Sequence, residues 1–327
     1  MVPRKTVALL AATLATVAGC GSGGTQAPGA SGPSGPDKAN PVTIRVGDVE
    51  GAPASFLAFG VQKGFFRDRG LDVQVVLQQG GAAIIPGLVS GDLQIGGSNA
   101  VSMLVARDRG LKVQIIAPGT SVGADPDKDF SAVIVAADSP IASARDLVGK
   151  KIGVNTFKNV NDIVIKSYLE SQGADISALR FLELPFPSMV AAVAQHQVDA
   201  ALVIEPFATT AQSQGARVLF RPYVSAKANL AIGTYSAAEE YIRQNPAVVK
   251  AFREAAAQTA GYITEHPDEY RGQLPTIAKL APELAPKVNI PVWGPRVDME
   301  SLEFFADRMV RYGLVQTKPD VRAAVAG

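Results

Sequence analysis

The sequence predicts an α/β protein in which a mainly parallel sheet carries helices on both faces and the C-terminal part is helical. Three observations support this class. Short β-type runs alternate with helical runs from Val42 to Phe220, glycine-containing turns separate them, and the pattern becomes helical after Gly233. Strands that are joined through helices are predicted to run parallel, because parallel strands need a long crossover connection, which is usually a helix.

The first element is the alternating run Val42–Val46, which is typical of a half-buried strand. The predicted strands are 42–46, 71–77, 93–95, 113–117, 132–136, 151–154, 179–184, 200–204 and 217–220. The predicted helices among them include 82–89, 100–109 and 161–172. Gly110 and Gly173 follow their helices directly, and Ser90-Gly91 ends the first one; glycine in this place commonly ends a helix.

The C-terminal part carries three helix signals. Ser236 and Glu239 have the spacing of a capping box, which predicts a helix that starts at Ser236. Pro246 predicts the first position of a long helix with an apolar stripe. A last helix is predicted over 298–312, and Gly313 ends it.

Two segments of the chain share one layout, which indicates an internal repeat. In each, a helix start is followed by an aspartate eleven residues later and by a polar residue six positions further on. These positions are Gly81, Asp92 and Ser98 in the first segment and Ser188, Asp199 and Glu205 in the second. Two similar α/β lobes that face each other would form a cleft, since ligands of open α/β sheets lie outside the carboxyl ends of the strands.

The N-terminal sequence has the features of an export signal. Arg4 and Lys5 precede thirteen almost wholly apolar residues, 6–18, too few for a permanent membrane-spanning helix. Cys20 follows Ala18 and Gly19 and resembles the acylated cysteine of the lipobox of bacterial lipoproteins. The resemblance implies a signal peptide over 1–19 and a lipidated Cys20. A soluble secretory signal with an unpaired cysteine is the alternative.

Composition limits the other functions. Residues 20–41 hold no large apolar side chain, so we expect a flexible tether. A net charge of +1 gives no support for nucleic-acid binding. Cys20 is the single cysteine, so the mature body has no disulfide and no thiolate metal site. The remaining length suggests two domains or one large one.

Six segments in this order resemble the substrate-binding proteins of bacterial ABC importers, the group that binds nitrate, sulfonates, taurine and thiamine-pyrimidine precursors. The segments are 63–73, 79–81, 90–96, 106–110, 144–154 and 197–207. Many members carry Trp before the Glu-Pro pair, where this chain has Ile204.

The resemblance implies a type II periplasmic-binding-protein-like fold: two doubly wound α/β lobes joined by two crossover strands, with the helical C-terminal tail packed on lobe 1. Lobe 1 would comprise 42–129 plus 233–327, and lobe 2 would comprise 130–232. The crossovers would be 132–136 and 230–234.

Helix N-termini supply the first candidate ligand contacts, because they offer free N–H groups and a partial positive charge. The candidates are Gly80, Gly81, Ser98, Asn99, Asn159 and Asn161. Ser and Asn also favour helix caps without any ligand, which is the alternative for these residues.

The other candidates are one carboxylate and three aromatic rings. Glu205 would accept from a ligand amine or hydroxyl, an expectation that leans on the resemblance and argues against a simple inorganic anion. Its alternative is a structural carboxylate that binds a main-chain N–H group. Phe56, Phe157 and Phe186 would supply apolar walls, unless they are core residues.

The resemblance implies an extracytoplasmic binding lipoprotein that is anchored at the outer face of the cytoplasmic membrane and delivers a small organic ligand to ABC permease subunits. A sulfonate, a taurine-like molecule or an aminopyrimidine would fit. We expect a monomer with no catalytic residue, cofactor or metal, and no nucleic-acid partner. A yeast pyrimidine synthase shares the fold family, so an enzyme is one alternative, but His196 and His266 lack triad spacing. A surface ligand sensor is the other.

Overall fold

The computed structural model describes residues 35–327. The predicted signal peptide, Cys20 and the first part of the predicted tether lie outside the described residues.

Strands and helices alternate through most of the described chain. The strands are β1 (Val42–Val49), β2 (Leu71–Gln78), β3 (Ile95–Asn99), β4 (Val113–Pro118), β5 (Thr120–Ser121), β6 (Ser131–Val135), β7 (Lys151–Val154), β8 (Arg180–Glu183), β9 (Ala200–Ile204), β10 (Arg217–Phe220), β11 (Gly233–Ala238) and β12 (Val292–Trp293). The helices are α1 (Ala52–Gln62), α2 (Gly81–Ser90), α3 (Ala100–Asp108), α4 (Val160–Ser171), α5 (Phe186–Ala194), α6 (Phe207–Ser213), α7 (Pro222–Ala226), α8 (Glu239–Gln244), α9 (Pro246–Glu265), α10 (Pro267–Ile277) and α11 (Met299–Arg311).

Two five-stranded sheets form the body, and they have the same strand order. The first sheet runs β2-β1-β3-β11-β4 and the second runs β8-β7-β9-β6-β10. In each, one strand is antiparallel to its neighbours, β11 in the first sheet and β6 in the second. The predicted repeat matches this symmetry, because β3 and β9 hold equivalent positions.

The chain passes between the sheets twice. The first passage occupies 119–130, after β4, and the second occupies 221–232, before β11. Both passages enter an antiparallel strand of the sheet that they reach. The predicted crossover 132–136 is therefore almost entirely strand β6 of the second sheet, and 230–234 combines the end of a passage with the start of β11.

The C-terminal helices contact both halves of the body. Helix α9 packs on α1 and β4, and its predicted apolar stripe is buried. Helix α11 contacts α3 beside the first sheet and α4 beside the second. The guanidinium of Arg311 donates two hydrogen bonds of 2.8 and 2.6 Å to the carboxylate of Glu170 on α4. The tail thus covers the first lobe, as predicted, and also reaches the second.

Two local predictions need correction. Ser236 lies inside β11, and the helix begins only at Glu239, because pairing with strands on both sides outweighs the local capping signal. Strand β3 begins at Ile95 rather than at residue 93, and it includes Ser98 and Asn99 at its carboxyl end. Among residues 35–327, no helix is long and apolar enough to cross a membrane.

Candidate functional site

A cavity of about 40 Å³ lies between the two sheets, and we call it the inter-sheet cavity. Its wall is formed by residues of the first sheet and its helices, of the second sheet and its helices, and of the two passages. The lining residues are Val49, Pro53, Ser98, Asn99, Thr120, Phe130, Asn155, Asn159, Val160, Asn161, Phe186, Ile204, Tyr223, Ile232 and Gly233. None of them carries a charged side chain.

Four helix N-termini meet at this cavity. The lining includes Pro53 in the first turn of α1, the N-cap Asn99 of α3, the N-cap Asn159 of α4 and the first residue of α5, Phe186. The N-terminus of a helix carries a partial positive charge of about half an elementary charge. These N-termini therefore direct partial positive charge towards a cavity that holds no basic side chain, an arrangement that favours an anion.

Caps hold two of these N-termini in place. The side chain of Asn99 accepts from the N–H of Ser102 at 3.0 Å and donates to the Ser102 hydroxyl at 3.1 Å. Asn159 forms a capping box with Asp162, whose carboxylate accepts from the Asn159 N–H at 3.1 Å. Burial raises the pKa of Asp162, and the main-chain N–H donors oppose that rise. Asn99 and Asn159 are thus helix caps, as the alternative interpretation of these residues has it. Both residues also line the cavity.

A hydrogen-bonded chain of side chains orients Asn161. The amide nitrogen of Asn161 donates to Asn155 Oδ1 at 2.7 Å, and the Tyr223 hydroxyl donates to Asn161 Oδ1 at 2.8 Å. Burial raises the pKa of Tyr223 far above its ordinary value, so this hydroxyl keeps its proton and stays a donor. The arrangement fixes the faces that Asn155 and Asn161 present to a ligand.

Ser98 is the cavity residue with an unmet hydrogen bond. Its side chain is only 7% exposed, and within residues 35–327 its hydroxyl has no hydrogen-bond partner. A buried hydroxyl without a partner costs roughly 1–3 kcal/mol, so such groups in native proteins call for a partner. A ligand in the cavity would supply one.

Two glycines permit close approaches beside the cavity: Gly81 packs against the cavity wall of its own half, and Gly80 packs against the second half. A Cβ atom on Gly81 would lie 2.4 Å from the Ser98 hydroxyl oxygen, and one on Gly80 would lie 2.7 Å from Thr156 Cγ2. A larger residue at either position would push the cavity wall or the opposite sheet away. Gly80 and Gly81 therefore act behind the lining and not within it.

The two halves also bind each other directly. Gln79 Nε2 donates to the Asn155 carbonyl at 2.8 Å, and Asn155 Nδ2 donates back to the Gln79 carbonyl at 3.0 Å. The N–H of Ala52 at the start of α1 donates to the Glu205 carbonyl at 2.8 Å. These contacts join the two halves beside the cavity, which agrees with its small volume.

The structure brings five of the ten predicted ligand residues to the cavity and leaves five outside it: Phe56, Gly80, Gly81, Phe157 and Glu205. Ser98, Asn99, Asn159, Asn161 and Phe186 line it. Phe157 is 48% exposed, because its residue lies in the loop that precedes α4. Phe56 is buried and stacks on Trp293 with 4.9 Å between ring centroids, because its helical face points into the first-lobe core.

Glu205 is a structural carboxylate, which corrects its expected role. The side chain is 1% exposed and accepts from the N–H and the hydroxyl of Thr209, both at 3.0 Å, and from the N–H of Asn289 at 3.3 Å. Burial raises its pKa from 4.5 to about 7. Its place just before α6 explains this role, and the predicted repulsion of inorganic anions no longer applies.

Three polar lining residues escaped the sequence analysis. Asn155 directly follows β7, so the rule that ligands bind at the carboxyl ends of strands could have found it. Thr120 and Tyr223 come from the two passages, and no local pattern marks them. Over the described part of the chain, no group of three or more His, Cys, Asp or Glu side chains is placed to hold a metal.

The fold is that of the periplasmic binding proteins. The structure matches the alkanesulfonate-binding protein of Xanthomonas axonopodis pv. citri bound to MOPS with a TM-score of 0.75 at 18% identity, over 88% of this chain and 99% of that chain. It also matches the periplasmic nitrate-binding protein of Synechocystis PCC 6803 with a TM-score of 0.70 at 17% identity, over 86% of this chain and 84% of that chain.

The chain belongs to the NMT1/THI5 like family, whose model matches residues 55–270. It is 24% identical to the taurine-binding periplasmic protein of Escherichia coli over 217 residues, 66% of this chain. It is 25% identical to the formylaminopyrimidine-binding protein of Halalkalibacterium halodurans over 218 residues, also 66% of this chain. The matches span 65% and 64% of the lengths of these relatives.

Proposed function

We propose that this protein is the extracytoplasmic solute-binding lipoprotein of an ABC importer and that it captures a compact anion in the inter-sheet cavity. The observation that carries the proposal is the unpartnered hydroxyl of Ser98 in a cavity where four helix N-termini meet. The named binding proteins among its relatives, for taurine and formylaminopyrimidine, support a role in binding rather than in catalysis.

The electrostatics of the cavity favour an anionic head group. Helix N-termini attract negative charge, and neutral donors such as the hydroxyls of Ser98 and Thr120 complete its recognition. No carboxylate lines the cavity to repel an anion, because Glu205 is turned into its own hydrogen-bond network. A taurine-like sulfonate fits these conditions. An aminopyrimidine is the second candidate, because one relative is a formylaminopyrimidine-binding protein.

Ligand entry requires the cleft to open. Small-molecule sites usually measure roughly 300–1,000 Å³, far above the volume of the closed cavity. We infer a hinge at the passages 119–130 and 221–232, with lobe 1 as 42–129 plus 233–327 and lobe 2 as 130–232. Changing an open:closed ratio from 99:1 to 1:99 needs about 5.5 kcal/mol of differential binding. Several hydrogen bonds to a charged ligand, each worth roughly 1.5–3 kcal/mol, would supply it.

We infer the place of action from the N-terminal sequence. A signal peptide over 1–19, an acylated Cys20 and a tether to residue 41 would hold a monomeric protein at the outer face of the cytoplasmic membrane. There the closed form would deliver its ligand to the permease subunits. Replacement of Cys20 by serine should release the protein from membranes.

Calorimetry on the full chain tests the proposal. Taurine, nitrate and formylaminopyrimidine are titrated into the wild type, Ser98→Ala and Ser236→Ala. Ser236 is a matched control, because its hydroxyl is also buried and without a partner in the described residues but does not line the cavity. We expect an anion to bind and Ser98→Ala to weaken it about tenfold, which is about 1.4 kcal/mol, with Ser236→Ala unchanged. Equal losses in both variants, or turnover of any of these compounds, would contradict the proposal.

A further inference from the structure

A second and larger cavity lies on the outer side of the first lobe. Its volume is about 340 Å³, and we call it the tryptophan cavity. Helix α9, the end of β4, the C-terminal residues and the segment after β12 surround it. The lining residues are Phe56, Ile116, Ala117, Pro118, Arg253, Ala256, Ala257, Ala260, Trp293, Gly294, Pro295, Arg296, Val297, Met299, Val325 and Ala326. None of them lines the inter-sheet cavity.

The walls of the tryptophan cavity are mostly apolar. Phe56 and Trp293 stack on each other at one wall. Helix α9 contributes three alanines, and their small side chains leave the space open. A volume of this size falls at the lower end of the range for small-molecule sites.

Two arginines, Arg253 and Arg296, are the charged residues of its lining. The guanidinium of Arg253 donates to the carbonyl oxygens of Ile116 at 2.6 Å and of Ala326 at 3.4 Å. Arg296 is exposed, and within residues 35–327 it forms no salt bridge and its side chain donates no hydrogen bond. No Asp or Glu is among the lining residues. An apolar pocket with a guanidinium at its edge suits a molecule with an apolar body and one acidic group.

We propose that the tryptophan cavity is a second ligand site, which binds a small amphipathic anion. The apolar body of the ligand packs against Phe56, Trp293 and the alanines of α9, and its carboxylate or sulfonate pairs with Arg296. This site is separate from the capture of solute between the sheets.

The two sites are neighbours through one short strand pair. Trp293 of β12 pairs with Thr120 of β5, and Thr120 lines the inter-sheet cavity. A test must therefore separate a signal that starts in one cavity from a signal that starts in the other.

Trp293 is the single tryptophan of the chain, so its fluorescence reports on this cavity. The full-length protein is titrated with octanoate and with octylammonium, which share an alkyl chain and differ in charge. We expect octanoate to change the emission in a saturable way and octylammonium to leave it unchanged. An absent octanoate response, or an equal response to both compounds, would overturn the proposal.

Variants locate the response. Ala260→Leu fills the cavity and should abolish octanoate binding, and Arg296→Gln, at an exposed position that should not affect folding, should weaken it about fivefold. Arg180→Gln is the matched control, since Arg180 is exposed on the second sheet, and Ser98→Ala should leave octanoate binding intact. Unchanged binding in Ala260→Leu or Arg296→Gln, or a loss in Ser98→Ala, would place octanoate elsewhere and refute the site.

Discussion

The buried carboxyl of Glu205 makes the stability of this protein depend on pH. It is almost fully buried and accepts three hydrogen bonds from Thr209 and Asn289. Burial still dominates, and it raises the pKa of Glu205 from 4.5 to about 7. A carboxyl group whose pKa is higher in the folded protein stabilises the fold in its protonated form.

The size of this effect follows from the two pKa values. The stabilisation is complete below pH 4.5, where the carboxyl is protonated in both the folded and the unfolded chain. Between pH 4.5 and about 7, the unfolded chain loses the proton while the folded one keeps it. Each pH unit in that window lowers the free energy of unfolding by about 1.4 kcal/mol, so the total loss is about 3 kcal/mol.

Glu205→Gln removes this titration. Urea unfolding at pH 5, 6, 7 and 8 should show that the variant gains on the wild type by roughly 2–3 kcal/mol across the series. The variant also loses one hydrogen-bond acceptor, which lowers its stability by the same amount at every pH. The effect of the titration is therefore the difference between the two proteins in how the free energy of unfolding changes with pH. Glu265→Gln, at an exposed position, is the control and should run parallel to the wild type. Parallel curves for Glu205→Gln would refute the reasoning.

Two further predictions concern the cavity wall and the closure of the cleft. Gly81→Ala adds a Cβ atom 2.4 Å from the Ser98 hydroxyl, so calorimetry should show ligand affinity reduced about tenfold or more. Gly261→Ala is the control, because Gly261 lies in open space on α9, and it should bind the ligand normally. Equal affinities of the two variants would contradict the close approach. Gln79→Ala removes the side-chain hydrogen bond to the Asn155 carbonyl, while the Gln79 carbonyl still accepts from Asn155 Nδ2. Loss of this bond between the two halves should give the ligand-free protein a larger radius of gyration in small-angle X-ray scattering, and an unchanged radius would argue against this contact as a latch.

The fold was predictable because its signals are local and periodic. The alternation of strands and helices, the glycine stops and the repeat with Asp92 and Asp199 indicated the two similar sheets that the structure contains. The long helix α9 begins at the predicted Pro246. The failure at Ser236 is physical: strand β11 is held by neighbours on both sides that lie more than a hundred residues away in the chain.

The site was predictable only where a residue ends a strand or caps a helix. Ser98, Asn99, Asn159 and Asn161 fulfil that condition and line the inter-sheet cavity. Glu205 fulfils it as well, yet its side chain turns towards Thr209, because a carboxylate next to a helix start finds N–H donors at once. Tyr223 reaches the cavity through the return of the chain between the sheets, and that long-range geometry leaves no mark in the local sequence.

The central claim is that a compact anion binds between the two sheets without any charged side chain. A crystal structure of the protein grown with the anion that calorimetry selects tests it most directly. We expect the anionic group within hydrogen-bond distance of the Ser98 hydroxyl and at the N-termini of α3 and α4, with the cleft closed around it. An anion bound elsewhere, or one paired with a Lys or Arg side chain in the cleft, would contradict the account.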